Sequence, residues 1–183
     1  MFIAYISTRR KNALTSVIDT ITMFPYIIPG SVLGITLLLA FNKKPLALSG
    51  TFVIIIIAYV VRRLPYTLRS SAAILYQISP SMEEASISLG YSPVKTFFKV
   101  TAVMMLPGVF AGAILSWITT INELSSSVIL YTGSTKTLSV SIYTEVIRAS
   151  YGTAAALSTI LTVTTVISLL IFFKVSGSKE ISL

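Results

Sequence analysis

The sequence predicts an all-α protein, a polytopic bundle of transmembrane helices. Three observations predict it. Hydrophobic residues fill 54% of the 183 positions and charged residues 11%, whereas a soluble domain is about a quarter charged. Apolar stretches recur at the length of about 20 residues that a membrane helix needs. Lys and Arg gather beside the ends of those stretches. The mean hydropathy of +0.87 fits a chain whose natural solvent is lipid.

Four segments have the required length, at about 14–41, 46–64, 101–121 and 152–173. The first is interrupted by Pro25, Pro29 and Gly30. Proline removes a backbone donor and breaks a helix. Inside lipid such a break is tolerated where it lines a cavity or packs against protein. The three residues therefore mark either a gating segment or a packed bend. Pro107 is expected to kink the third segment. Small residues four apart, Gly30/Gly34 and Gly108/Gly112, let helices approach closely in lipid. The fourth segment opens with the similar run Gly152, Ala154, Ala155, Ala156 and Ser158.

The positive-inside bias orients the segments. Arg9, Arg10, Lys11, Arg62, Arg63, Arg69, Lys95, Lys99, Lys174 and Lys179 fall on one side, and Lys43, Lys44, Lys136 and Arg148 on the other. The loop at about 65–100 is then cytoplasmic and the stretch 122–151 external. Arg62, Arg63 and Arg69 read as anchors at the cytoplasmic interface. The net charge of +8 is explained by this flanking pattern, so no nucleic-acid partner is expected. Residues 1–7 read as the tail of a membrane helix that begins upstream, and the whole of 1–183 as one transmembrane domain, incomplete at its N-terminus.

The chain has no Cys and no His. That excludes thiolate and imidazole metal sites, Cys nucleophiles and Ser-His-Asp machinery. Its acids are Asp19, Glu83, Glu84, Glu123, Glu145 and Glu180. No phosphate-binding Gly-x-x-x-x-Gly-Lys-Ser/Thr loop is present. An enzyme is therefore not expected, nor a metal site or a cofactor, and any ATP must be bound by another chain.

The stretch from Ser79 to Gly90 reads as a short helix. Ser79 can cap it and Pro80 suits its first position. Ser81 with Glu84 fits a capping box. Glu83 and Glu84 sit where the helix dipole favours negative charge, and Gly90 can terminate the helix in a left-handed conformation. By spacing alone this is a well-capped loop helix.

Glu84-Ala85-Ser86, three residues, Gly90, nine residues and Val100 also resemble the cytoplasmic signature of ABC importer permeases. Ser86 stands where that pattern has a second Ala. Ala102 and Val103 stand where it usually has Leu-Pro, and Pro107 matches a later Pro. The resemblance implies that Glu83, Glu84, Ala85, Ser86 and Gly90 form a coupling helix that docks into an ATPase subunit. Met23 to Gly30 followed by Val32-Leu33-Gly34 resembles the first core segment of these permeases. Arg62-Arg63-Leu64-Pro65-Tyr66 with Arg69 resembles the exit of the next. Glu123-Leu124-Ser125-Ser126 and Thr137-Leu138-Ser139-Val140 are most similar to the ferric-iron branch, which is related to permeases for phosphonates, sulfate, thiamine and polyamines. The chain resembles the C-terminal half of such a permease.

An acidic residue at a membrane helix end is a functional candidate, so Asn122 and Glu123 join Ser125, Pro25, Pro29 and Gly30 as residues of a translocation path or gate. The bland readings are interfacial polar groups and packing. The resemblance implies a multi-pass protein of the bacterial inner membrane that imports a substrate, ferric iron in this branch. Its implied partners are ABC ATPase subunits, an extracytoplasmic binding protein, a second permease half or homodimer partner, and membrane lipid. The rival reading is an ion-coupled secondary transporter, which needs a titratable residue deep in a span. Asp19, in the first segment, is its candidate.

Overall fold

A computed structural model describes residues 1–176, so Lys179 and Glu180 lie outside the described residues. Among those described, the regular structure is helical: α1 (Phe2–Arg9), α2 (Ala13–Ile27), α3 (Gly30–Ala40), α4 (Phe52–Gln77), α5 (Ser81–Ser88), α6 (Pro93–Thr96), α7 (Ala102–Ile121), α8 (Ser127–Leu130), α9 (Leu138–Ile147) and α10 (Tyr151–Ser176). A π-helical turn, Phe97–Thr101, joins α6 to α7.

The first apolar segment is a broken one. α2 and α3 meet at 105° across a short gap, with Pro29 at the start of α3. Pro25 stays within α2. The bend follows from the chemistry of proline, which cannot donate the hydrogen bond that would continue α2.

The second segment departs from expectation. Its helix starts at Phe52 and runs to Gln77, well past Leu64. Arg62 and Arg63 thus fall near the helix middle, and α4 continues about 22 Å beyond Arg62 at the helical rise of about 1.5 Å per residue. Much of the stretch expected to be a polar loop is therefore helix. Leu68, Ser71 and Leu75 explain why, because they are buried at helical spacing on one face of it. Among the described residues, two continuous helices have the length and apolarity to cross a membrane, Pro93–Ile121 and Tyr151–Lys174, and the bent pair α2–α3 makes a third if it counts as one span. Pro107 lies inside α7.

The chain forms two compact units. The first comprises residues 1–23 and 64–116. Its core gathers Ala4, Leu68, Leu75, Ile78 and Met105. Here α7 approaches α4 at a distance only glycine permits. A Cβ on Gly108 would lie 2.5 Å from Ile74 Cγ1 and 2.7 Å from the Ser70 carbonyl oxygen. A Cβ on Gly112 would lie 2.2 Å from Ser70 Oγ. The second unit comprises residues 24–63 and those from Trp117 onward, with Ile54, Ile55, Ala58 and Leu130 at its core.

In the second unit α9 packs on α10, yet most of α10 is uncovered. Ile160, Val163, Val166, Ile167, Leu170 and Ile171 are exposed. Its hydroxyls are handled locally: Thr159, Thr162, Thr164, Thr165 and Ser168 each donate to the carbonyl four residues back. That arrangement leaves an apolar surface suited to lipid, where an unsatisfied donor is costly. A Cβ on Gly152 would meet nothing within 4 Å among the described residues, whereas Ala154, two residues on, is buried.

Gly108→Val is expected to destabilise the fold by about 1–3 kcal/mol through overpacking. Gly152→Ala is expected to stay within about 0.5 kcal/mol. Thermal unfolding in detergent micelles checks both, and equal effects of the two substitutions would contradict the packing described.

Candidate functional site

Two clusters hold the residues singled out by sequence. The first is built on α5, in the first unit. Pro80 already has helical backbone angles (φ −55, ψ −29), so the first turn begins there. Ser79 supports it from outside. Its Oγ accepts the Ser81 amide at 3.4 Å and shares a hydrogen bond with Ser81 Oγ at 2.8 Å. The expected Ser81–Glu84 capping box does not form, and Glu84 points to solvent.

The other end of α5 is closed tightly. The Gly90 amide donates to the Ile87 carbonyl at 2.9 Å and the Tyr91 amide to the Ser86 carbonyl at 3.3 Å. This is the Schellman pattern, with Gly90 in the left-handed position. Its φ of +91 is one that a residue with a Cβ adopts only with strain.

The two adjacent glutamates do different jobs. Glu83 is fastened inward, where it accepts a hydrogen bond from Tyr5 Oη at 2.9 Å and an ion-paired one from Arg9 Nε at 3.2 Å. Arg9 also donates to the Ile78 carbonyl at 2.6 Å, closing the chain just before α5 onto α1. Ser86 is buried and shares a hydrogen bond with Thr96 Oγ1 at 3.0 Å. Glu84 and Ala85 remain exposed, flanked by exposed Met82, Ile87 and Leu89. Of the five loop residues chosen by sequence, Glu83, Ser86 and Gly90 thus hold the helix, while Glu84 and Ala85 present it.

The second cluster lies in the second unit and centres on Glu123, which is 6% exposed. Arg62 Nη1 donates to its Oε1 at 2.9 Å, and Arg63 Nη2 donates to Oε2. The Ser126 amide and hydroxyl also donate to Oε1, at 3.2 and 3.3 Å. Arg63 reaches the Thr119 carbonyl at 2.6 Å. Ser127 Oγ donates to the Glu123 carbonyl and meets Tyr59 Oη at 2.6 Å. A carboxylate buried in apolar surroundings is stable only with such partners.

This contact corrects the sequence-based placement of Arg62 and Arg63 at one membrane face and Glu123 at the other. Groups 2.9 Å apart share one level. The placement failed because α4 runs on to Gln77, which makes its arginines internal. Sequence reasoning took them for interfacial anchors and did not link them to Glu123. Their signal was two adjacent charges within an otherwise apolar helix, matched by a lone acid beyond the third apolar segment.

The remaining candidates divide. Gly30 and Ser125 join the Glu123 cluster: a Cβ on Gly30 would sit 1.8 Å from Arg62 Nη1 and 2.7 Å from Ser125 Cβ. Asn122 is exposed and donates to the Ile118 carbonyl of its own helix at 3.0 Å. Pro25 has no part in the cluster. Pro29 precedes Gly30 at the bend. Asp19, the candidate for ion coupling, pairs with Arg69 at 3.4 Å in an open groove, its side chain 42% exposed. The Thr137–Val140 motif is structural: Thr137 caps α9, Ser139 Oγ donates to the Ile121 carbonyl at 3.1 Å, and Val140 is fully buried. No group of three acids that could hold a metal ion occurs among the described residues.

Known proteins share both the sequence and this architecture. The chain is 33% identical over 181 residues to the ferric transport system permease protein FbpB of Actinobacillus pleuropneumoniae, an alignment that covers 99% of this chain and 26% of that protein. It is 30% identical over 142 residues to a spermidine/putrescine transport system permease protein PotC homolog of Mycoplasma genitalium, covering 76% of this chain and 50% of that one. The chain thus spans about a quarter to a half of the length of these relatives. A bacterial ABC transporter involved in import of the acidic polysaccharide alginate shares the fold, with a TM-score of 0.78 at 13% identity over 97% of this chain and 72% of that one. Residues 1–177 match the family described as binding-protein-dependent transport system inner membrane component, and the chain belongs to that family.

Proposed function

We propose that this chain is permease machinery of an ATP-driven importer, in which α5 receives the push of an ATPase subunit and the helices pass a substrate inward. The observation that carries the reading is the division of labour on α5. A helix locked at both ends and along its inner face transmits a rigid-body displacement. Its outer face, Glu84 and Ala85 between Met82 and Leu89, offers a charge and apolar contact to a partner. The family match supports the same reading. The α5 face would then be cytoplasmic, as the positive-inside bias has it.

Substrate would arrive on an extracytoplasmic binding protein, and a second permease half or a second copy would complete the pathway. A solved neighbour is a complex of an ABC transporter with a substrate-bound periplasmic protein. Ferric iron is the proposed cargo. Ferric transport permeases from Actinobacillus pleuropneumoniae and Haemophilus influenzae are 30–33% identical to the chain. Direct capture of iron by soft ligands is not part of the proposal, since the chain has neither Cys nor His. Selection of cargo then rests with the binding protein. We further propose that α4 crosses the membrane with α2–α3, α7 and α10. Its arginines face protein and pair with Glu123, which is how charged residues are accommodated at membrane depth.

Two measurements test this function. In the assembled transporter, a single cysteine from Ala85→Cys is expected to cross-link to the ATPase subunit. Glu84→Ala should weaken capture several-fold. Gly90→Pro should abolish it, because proline holds φ near −65° and has no amide for Ile87. Absence of capture in an intact assembly would overturn the coupling role. Separately, ferric uptake into vesicles carrying the full assembly is expected to require ATP, the ATPase and the loaded binding protein. Uptake driven by a proton or sodium gradient without ATP would establish the ion-coupled carrier instead.

A further inference from the structure

The contact between α3 and the buried ion cluster lies apart from the α5 face. Arg62 reaches Glu123 by passing over the first residue of α3. At Gly30 the guanidinium lies where a Cβ would stand, 1.8 Å from that position to Nη1 and 2.9 Å to Cζ. The N-terminus of α3 and the Arg62–Glu123 pair therefore pack directly against each other, with the guanidinium filling the space beside Gly30.

Electrostatics makes this contact conditional. The N-terminus of α3 carries the positive end of the helix dipole, and no side chain caps it. A guanidinium against Gly30 is repelled by that end. What holds Arg62 there is Glu123, whose carboxylate takes Arg62 and Ser126 on one oxygen and Arg63 on the other. Arg62, Arg63 and Glu123 are nearly buried, with side chains 17%, 12% and 5% exposed, so solvent screens the pull little. The carboxylate holds a cation against a helix end that repels it.

We propose that Arg62, Glu123 and Gly30 form an ionic clasp that holds the N-terminus of α3, and that its release frees α3 during transport. Arg62 and Glu123 are positioning residues here, acting on the broken segment and not on cargo. The working role rests on the importer reading, while the clasp itself does not.

The chain has no cysteine, so a single reporter can be placed cleanly. Leu33, buried on α3, becomes the reporter as Leu33→Cys. In membranes carrying the full assembly without ATP or cargo, its labelling by a water-soluble maleimide should be slow. It should rise several-fold when Glu123→Gln is added, or Gly30→Ala, which displaces Arg62 without changing charge. Arg62→Lys should fall between Arg62→Met and the parent. In the full assembly, Glu123→Gln should raise cargo-independent ATP hydrolysis several-fold while lowering the stimulation by cargo. A merely structural role would depress both rates together.

Should Glu123→Gln or Gly30→Ala fail to accumulate, the Leu33→Cys protein with an otherwise native clasp carries the test. Its labelling should rise when ATP and loaded binding protein are both present. Unchanged labelling in folded Glu123→Gln and Gly30→Ala proteins would overturn the clasp. Labelling that rises in those variants but stays unchanged by ATP and cargo would overturn its release during transport. Loss of ATP dependence of uptake in the parent protein would instead overturn the importer reading and leave the clasp standing.

Discussion

Much of the second unit depends on one buried carboxylate. Glu123 sits two residues past the end of α7, and its two oxygens collect Arg62 and Arg63 from α4 and the start of α8 through Ser126. A single unpaired charge at such a site would be strongly unfavourable, and removing one partner of a buried pair leaves the others exposed to that cost. The register of α4 beside the end of α7 follows, because both guanidiniums must reach one residue. The hydroxyl of Tyr59 on Ser127 continues the same network one turn earlier on α4.

Elsewhere the constraint is steric. Hydrocarbon tails are as apolar as leucine, so helices in lipid gain little by hiding apolar surface from each other. Close backbone approach substitutes for it. Gly108 and Gly112 bring α7 onto the Ser70 region of α4 at separations that exclude any side chain. α10 shows the complementary case. Its exposed face is aliphatic and its hydroxyls bond to their own helix, which suits a surface that meets lipid.

The α5 loop joins local and long-range effects. Its termination at Gly90 is local, set by hydrogen bonds within five residues. Its inner fastening is not: Glu83 meets Tyr5 and Arg9 from 78 and 74 residues away. The aromatic ring of Tyr5 also packs edge-on against Phe97, with centroids 4.9 Å apart. A short helix is fixed in place through these contacts.

The sequence by itself determined the membrane class, the break at Pro29 and Gly30, the extent of α5 and its stop at Gly90. Each is written in composition or in the conformational limits of one or two residues. It also contained the α7 glycine pair, although not the helix that pair would meet. The tertiary structure alone decided that Arg62 and Arg63 are internal and not interfacial, since their partner lies 61 and 60 residues away. It alone separated Glu83 from Glu84, neighbours that spacing treats alike. Local rules act through adjacent backbone, whereas ion pairs and close helix contacts depend on which distant residues the fold brings within a few ångströms.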